Sequence, residues 1–297
     1  MSDEPILPSA RAALDLPDQE RILFLRQPRW IGYTRSKQVL GRMEALLHYP
    51  SMHRMPNLLI VAETNNGKTT IARRFARLHP AADDPGSECT RVPVLLLQAS
   101  PAPDEGRFYN SILEALHAPY RPSEGAGKKE VQVIKLLRTV GLRMLIIDEI
   151  HNLLAGSLAR QRHFLNVLKY LGNELQVPIV GVGTVEAIRA VATDPQLANR
   201  FEPVALTKWE MNREYLILLA SFNKLLPLRK SSSLIDDDLA LKLLSMSEGT
   251  IGELSTLLAV ATEHAILSGR ERIDLELLRE IDWIPASERS RRAARLA

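Results

Sequence analysis

Residues 62–70, Ala-Glu-Thr-Asn-Asn-Gly-Lys-Thr-Thr, constrain this chain more than any other stretch. The apolar run 58–61 before them reads as a buried strand, and 68–78 after them as a helix. A tight turn between such a strand and a helix start aims backbone N–H groups and the positive helix end at one point, where an anion binds. The residues that form this cradle are Ala62, Glu63, Thr64, Asn65, Asn66, Gly67, Lys68, Thr69 and Thr70. Lys68 is placed to neutralise the outer phosphates of a bound triphosphate, and the Thr69 hydroxyl to complete a Mg2+ shell. Ala62 stands where the pattern G-x-x-x-x-G-K-[ST] has its first glycine, and alanine fits there if its φ stays negative. The plain alternative is a chance Gly-Lys-Thr at a helix start.

A second motif, Met144-Leu-Ile-Ile-Asp148-Glu149, is an apolar strand that ends in two acids. In open α/β sheets the carboxyl ends of the strands are where ligands sit. Asp148 there can hold Mg2+ through water, and Glu149 can orient and polarise an attacking water. An aspartate that only caps the following turn is the alternative. Both motifs in order, 80 residues apart, favour nucleotide binding.

The rest of the chain fits an α/β core followed by a helical lid. Further strands are expected at 92–98, 177–182 and 202–206, alternating with helices at 36–48, 107–117, 130–140 and 158–175. That alternation implies a parallel sheet covered on both faces. Beyond residue 207 only helical patterns remain, at 212–225, 236–245, 251–267 and 274–281. The expected domains are an N-terminal arm (1–30) with one short helix, the core (31–206), the lid (207–283) and a basic tail (284–297). Charge narrows the partners: the chain of 297 residues carries +3, and its last twelve residues alone hold four Arg against one Glu. The body is neutral overall, so a nucleic-acid grip must come from a local patch. Apolar runs are too short to span a bilayer, the N-terminus shows no secretory pattern, and Cys89 is the single cysteine, so a reducing cytoplasm is expected.

Two further positions bear on the chemistry. Thr184 ends the strand expected between the two motif strands, where its hydroxyl can reach a terminal phosphate or the attacking water; it also suits the N-cap of the next helix. Arg200 precedes the last strand, where ring-forming ATPases place a guanidinium that enters a neighbour's site. Its alternatives are an ion pair with Glu202 or a solvated face.

In that order, the loop, the LIIDE strand, VGT at 182–184, ANRF at 198–201 and the lid resemble AAA+ ATPases. The segments RWIGY (29–33), NLLIV (57–61), TNNGKT (64–69), DEIHN (148–152) and PIVGVGT (178–184) resemble the TniB/TnsC transposition regulators over about residues 29–283. The resemblance implies an ATPase that uses ATP and Mg2+. It also implies a homo-oligomer, ring or filament, on double-stranded DNA of any sequence, which recruits a DDE transposase together with a target-selection protein. The alternative is an AAA+ loader or remodeller of a protein partner with no DNA grip of its own; a metabolic P-loop kinase would leave Arg200 and the long lid without a role.

Under the resemblance, Arg121, Lys128 and Lys129, in a Pro/Gly/Lys loop expected over 119–129, are the DNA-contact candidates, against a merely solvated loop. The basic tail is either a DNA or transposase contact or a solvated terminus. His151 either tunes Glu149 or simply packs. Trp30 and Tyr33 either stack on adenine or join a core, while Trp209 and Trp283 read as lid packing. Gly252 falls where many AAA+ lids carry a sensor arginine, which implies slow hydrolysis and a persistent ATP-bound assembly.

Overall fold

The computed structural model describes residues 7–83, 89–153 and 155–295. In chain order its elements are α1 (Pro8–Ala13), α2 (Asp18–Leu25), α3 (Thr34–Leu47), β1 (Asn57–Ala62), α4 (Lys68–Leu78), β2 (Ala82–Asp83), β3 (Thr90–Arg91) and β4 (Val94–Gln98). Then come α5 (Glu105–Ala115), α6 (Ala126–Thr139), β5 (Met144–Asp148), α7 (Ile150–Leu153), α8 (Leu158–Leu175), β6 (Ile179–Gly183), α9 (Val185–Ala192), α10 (Pro195–Ala198) and β7 (Phe201–Leu206). Five helices close the chain: α11 (Arg213–Asn223), α12 (Asp237–Met246), α13 (Ile251–Leu267), α14 (Leu275–Glu280) and α15 (Ala286–Ala294). They divide into two compact units, one of residues 1–34, 65–67 and 208–297, the other of residues 35–64 and 68–207.

The second unit is built on a parallel sheet in the order β4-β5-β6-β1-β7. β1, β5 and β6 are buried along their whole length, because helices cover both faces and leave no solvent side. Their apolar side chains meet those of α5, α6 and α8 in one core that includes Leu59, Ile147, Ile112, Val133 and Leu168. Register decides what the sheet presents: Val61 pairs with Gly183, and Asp148 with Val182. The carboxyl ends of β1, β6 and β5 therefore lie side by side, with Thr184 between the two motif strands. One boundary differs from expectation. The Pro/Gly/Lys loop ends early, because α6 begins at Ala126 and takes Lys128 and Lys129 into its first turn.

The first unit packs α1, α2 and α11–α14 around Ile22, Tyr215, Leu219, Leu243, Leu257 and Leu277. The N-terminal stretch, expected as an arm with one short helix, forms two, and α2 is tied in by a buried ion pair. Arg21, fully buried, donates to both carboxylate oxygens of Glu271 at 2.8 and 2.6 Å and to the carbonyl of Pro227 at 2.6 Å. Arg229 adds a more exposed contact to Glu271 at 3.0 Å. Trp283 donates its indole N–H to the Met246 carbonyl at 2.8 Å, and both Trp209 and Trp283 pack on this core. The basic tail is helical in α15, with residues 289–295 exposed.

Hydrogen bonds from Arg21, with its positive charge, hold the Glu271 carboxyl below its ordinary 4.5. The unfolded chain thus binds this proton at a higher pH than the folded one. The stabilisation is complete above about pH 4.5 and drains away as pH falls through the lower folded value. Removing one partner of a buried pair strands the other charge, so Arg21→Ala is expected to lose about 3 kcal/mol near neutral pH. It should also show a shallower loss of stability below about pH 4.5 than the parent. Urea denaturation at neutral pH and across the acid range checks the two outcomes.

Candidate nucleotide site

β1 runs straight into the loop and α4 opens on Lys68, so helix start and strand end meet over a few residues. Ala62 closes β1 in extended backbone and needs no glycine. Lys68 is buried, and its ammonium donates to the carbonyls of Ala62 at 3.1 Å and Glu63 at 2.9 Å. Burial pushes its pKa below the ordinary value, while the charges of Glu149 and Asp148 push it back up. The attraction of those two acids places them and Lys68 in one electrostatic neighbourhood at the carboxyl edge of the sheet.

Asp148 is buried and accepts the backbone N–H of Glu149 at 3.0 Å. Glu149 adopts a left-handed backbone, φ 55°, a conformation that costs a residue with a Cβ about 1–2 kcal/mol. Strain of that kind at the end of a motif strand aims a side chain where regular backbone would not. The Glu149 carboxylate meets His151 Nε2 at 3.2 Å, so His151 is a direct partner of the proposed base. Thr184 starts α9 as its N-cap residue, yet its hydroxyl makes no cap bond and is buried without a well-formed hydrogen bond, as is His151 Nδ1. The same hydroxyl is the main influence that holds the exposed Glu186 carboxyl below its ordinary value, so Glu186 is its close polar neighbour. A buried hydroxyl so loosely engaged at this edge can receive a polar ligand. Thr69 and Asp148 supply one hydroxyl and one carboxylate, the oxygen set Mg2+ takes when water and phosphate complete its shell. The residues thus fit a magnesium nucleotide.

Within the other unit, the loop tip lies against the start of α13. Gly252 N–H donates to the Asn65 carbonyl at 3.0 Å, Asn65 Nδ2 to Glu253 at 3.0 Å, and Ile251 N–H to Asn66 Oδ1 at 3.4 Å. Arg289 of α15 grips both oxygens of Glu253 at 2.7 Å, so the tail arginine is committed inside this unit. A Cβ on Gly252 would fall 1.9 Å from Asn65 Oδ1, which explains why no arginine stands here: the backbone approach leaves no room for a side chain. Tyr33 packs edge-on against Trp209 with ring centroids 5.1 Å apart.

Arg200 lies elsewhere. Its carbonyl accepts the N–H of Asn57, the first residue of β1, at 2.7 Å, so it sits at the amino edge of the sheet. Five residue steps along β1, about 17 Å, separate that edge from the loop. The ion pair with Glu202 is not formed, because Glu202 pairs with Arg42 at 2.6 Å; Arg200 donates instead to Asn173 at 2.9 Å. Among the DNA candidates, Arg121 and Lys128 are exposed. Lys129 is a correction: it is buried, donates to the Pro122 carbonyl at 3.1 Å and stands 5.6 Å from the Tyr120 ring centre, so its charge serves the fold and does not face a phosphate. The pattern of α6, with Val133 and Leu137 one and two turns on from Lys129, is the signal that its stem lies on the buried face.

A family model described as "Bacterial TniB protein" matches residues 21–211. The chain belongs to the TniB family. Among solved structures, this TniB-family chain is similar to the ORC2 protein of Aeropyrum pernix in its ADPNP–ADP complexes, at 16% identity and a TM-score of 0.60 over 88% of this chain and 70% of that one. It is similar to the ORC1 protein of the same organism in complex with DNA, at 18% identity and TM-score 0.60 over 91% and 69%. It is also similar to a point variant of Thermotoga maritima RuvB, at 18% identity and TM-score 0.52 over 86% and 72%. These likenesses establish the AAA+ fold, with its five-stranded parallel sheet and C-terminal helical region. No curated protein matches the chain. Among the described residues no helix is long and apolar enough to cross a membrane.

Lys68→Ala is expected to remove Mg-ATP binding, a drop on the order of 100-fold or more in affinity by titration calorimetry, since two or more charge-assisted contacts disappear. Gly252→Ala is expected to push the Asn65 segment off α13 and to cost about 1–3 kcal/mol in urea denaturation.

Proposed function

We propose that this chain is an ATP-dependent regulator of DNA transposition, one that oligomerises on double-stranded target DNA with ATP bound and recruits and activates a DDE transposase, with hydrolysis driving disassembly. The family match supports the transposition setting. The single observation that carries the ATP-switched assembly is the separation of Arg200 from Lys68, Asp148 and Thr184 on opposite edges of one sheet. An arginine so placed cannot serve its own site, whereas in a row of copies it reaches the next one.

In this reading Lys68 neutralises charge on the outer phosphates, and Thr69 and Asp148 hold Mg2+. Mg2+ held by those two residues would supply further neutralisation of the triphosphate's charge. Glu149 orients the attacking water, with His151 holding its carboxylate in place, and the hydroxyl of Thr184 donates toward the terminal phosphate or that water. Arg200 of an adjacent copy stabilises the charge that develops as the phosphoryl group leaves. Exposed Arg121 and Lys128 neutralise DNA phosphates without reading bases. The burial of Lys129 favours a second reading, a loader of a protein partner that does not hold DNA itself.

Random-sequence duplex in a gel shift with a non-hydrolysable ATP analogue separates the two: nucleotide-dependent oligomers on DNA are expected, and no shift at low salt selects the loader. Glu149→Gln is expected to keep ATP binding and to freeze the assembly on DNA, read by electron microscopy and by the absence of phosphate release. Arg200→Ala is expected to fold and bind nucleotide normally while hydrolysis drops by about 10³-fold, the lower range for such groups.

A further inference from the structure

On the amino edge of the sheet lies a cavity of about 460 Å³, lined by Tyr49, Met52, Arg54, Met55, Pro195 and Arg200, with the amides of Gln196 and Asn199 at its side. Among the described residues no carboxylate lines it. Arg200 there has, among those residues, only the neutral Asn173 as a side-chain partner, and the nearby Asp194 is taken by Lys169 at 2.7 Å. Arg54 makes no hydrogen bond or ion pair among the described residues and is exposed. Two guanidinium groups thus face one hollow without an acid between them. Burial and the charge of Arg54 depress the pKa of Arg200, and the attraction of Asp194 pushes it part of the way back.

The fold holds them close in spite of that repulsion. The Asn57 N–H bonds the Arg200 carbonyl at 2.7 Å, and Arg54 lies three residues before Asn57 on a segment pinned by buried Met55. The Asn57 side chain also accepts the Ile179 N–H at 2.8 Å, which anchors the same point to β6. The backbone of both arginines is thereby fixed beside one cavity, and the exposed, unbonded Arg54 side chain can swing onto a multiply charged anion there. Guanidinium forks match phosphate oxygens, and the half-exposed apolar walls of Tyr49 and Met52 lower the local dielectric around them.

We propose that Arg54 is a second phosphate-binding arginine, which joins Arg200 to grip the terminal phosphate of a nucleotide bound to a second copy of this chain. The proposal rests on the reading of Arg200 as a group that acts in trans. Arg54 and Arg200 together offer up to about ten N–H donors to a group with three terminal oxygens.

The test uses the full chain with DNA and Mg-ATP. Without DNA, as separate copies, Arg54→Ala should bind nucleotide with parent affinity, because its own loop is intact; on DNA it should hydrolyse it on the order of 10²-fold more slowly. Mixed with Glu149→Gln, which keeps both arginines, it should regain hydrolysis well above the sum of the two separate rates. Arg200→Ala mixed with Glu149→Gln is the companion arm. Arg54→Gln replaces the alanine variant if the latter melts early.

Parent-rate hydrolysis by Arg54→Ala overturns the proposal. So does a slow variant that is not rescued while Arg200→Ala is, since Arg54 then acts within its own copy or only on the fold. Rescue of neither sinks the trans reading itself. Unchanged hydrolysis with a weaker salt dependence of duplex binding would assign the cavity to DNA phosphate and also overturn the proposal.

Discussion

The Lys68 ammonium is a charge carried into a largely buried place, and the fold has to answer it. Two loop carbonyls bond it directly and two acids at the end of a neighbouring strand attract it from further off. Neither set neutralises it by direct pairing, which leaves a cation able to exchange its carbonyl partners for phosphate oxygens. Almost everything else at the carboxyl edge of the sheet follows from the need to hold that arrangement: β1 and β5 flank β6, their register sets Val61 beside Gly183 and Asp148 beside Val182, and helices seal both faces. The strained backbone of Glu149 and the loosely engaged hydroxyl of Thr184 lie in the same row.

The opposite edge carries the complementary half of the chemistry. Because all five strands are parallel, each has its ligand-facing end and its far end on opposite sides of the unit. Arg200 and Arg54 sit at the far end, where no carboxylate among the described residues lines their cavity, whereas Asp148 and Glu149 sit at the near end. Under the proposed function, this placement of the arginines on the edge away from Asp148 and Glu149 suits head-to-tail contact between copies. Heterologous contacts of that kind generate rings or helical filaments and do not close as two-fold dimers.

The helical unit makes a different use of charge. Its buried Arg21–Glu271 pair stitches the N-terminal helices to the last third of the chain, 250 residues away. Glu253, shared between Asn65 and Arg289, links the loop tip to α13 and α15 through a single carboxylate. The close backbone approach at Gly252 belongs to the same contact and removes the space that a long basic side chain would need.

From the sequence by itself came the alternation of strands and helices, the phosphate loop, the acidic strand end and the helical lid, because each is a local pattern of apolar periodicity or spacing that the backbone cannot easily disobey. The buried side of α6 was legible only in part: Lys129 looked like a loop lysine until the helix began three residues earlier and turned its stem inward. Tertiary structure alone decided the rest. Strand order put Thr184 between the motif strands and Arg200 at the far edge, and pairing across more than 140 residues brought Arg54 beside Arg200. Arg21's partner and the Asn65 contact to Gly252 are likewise set by which distant segments pack together, and no local spacing encodes that.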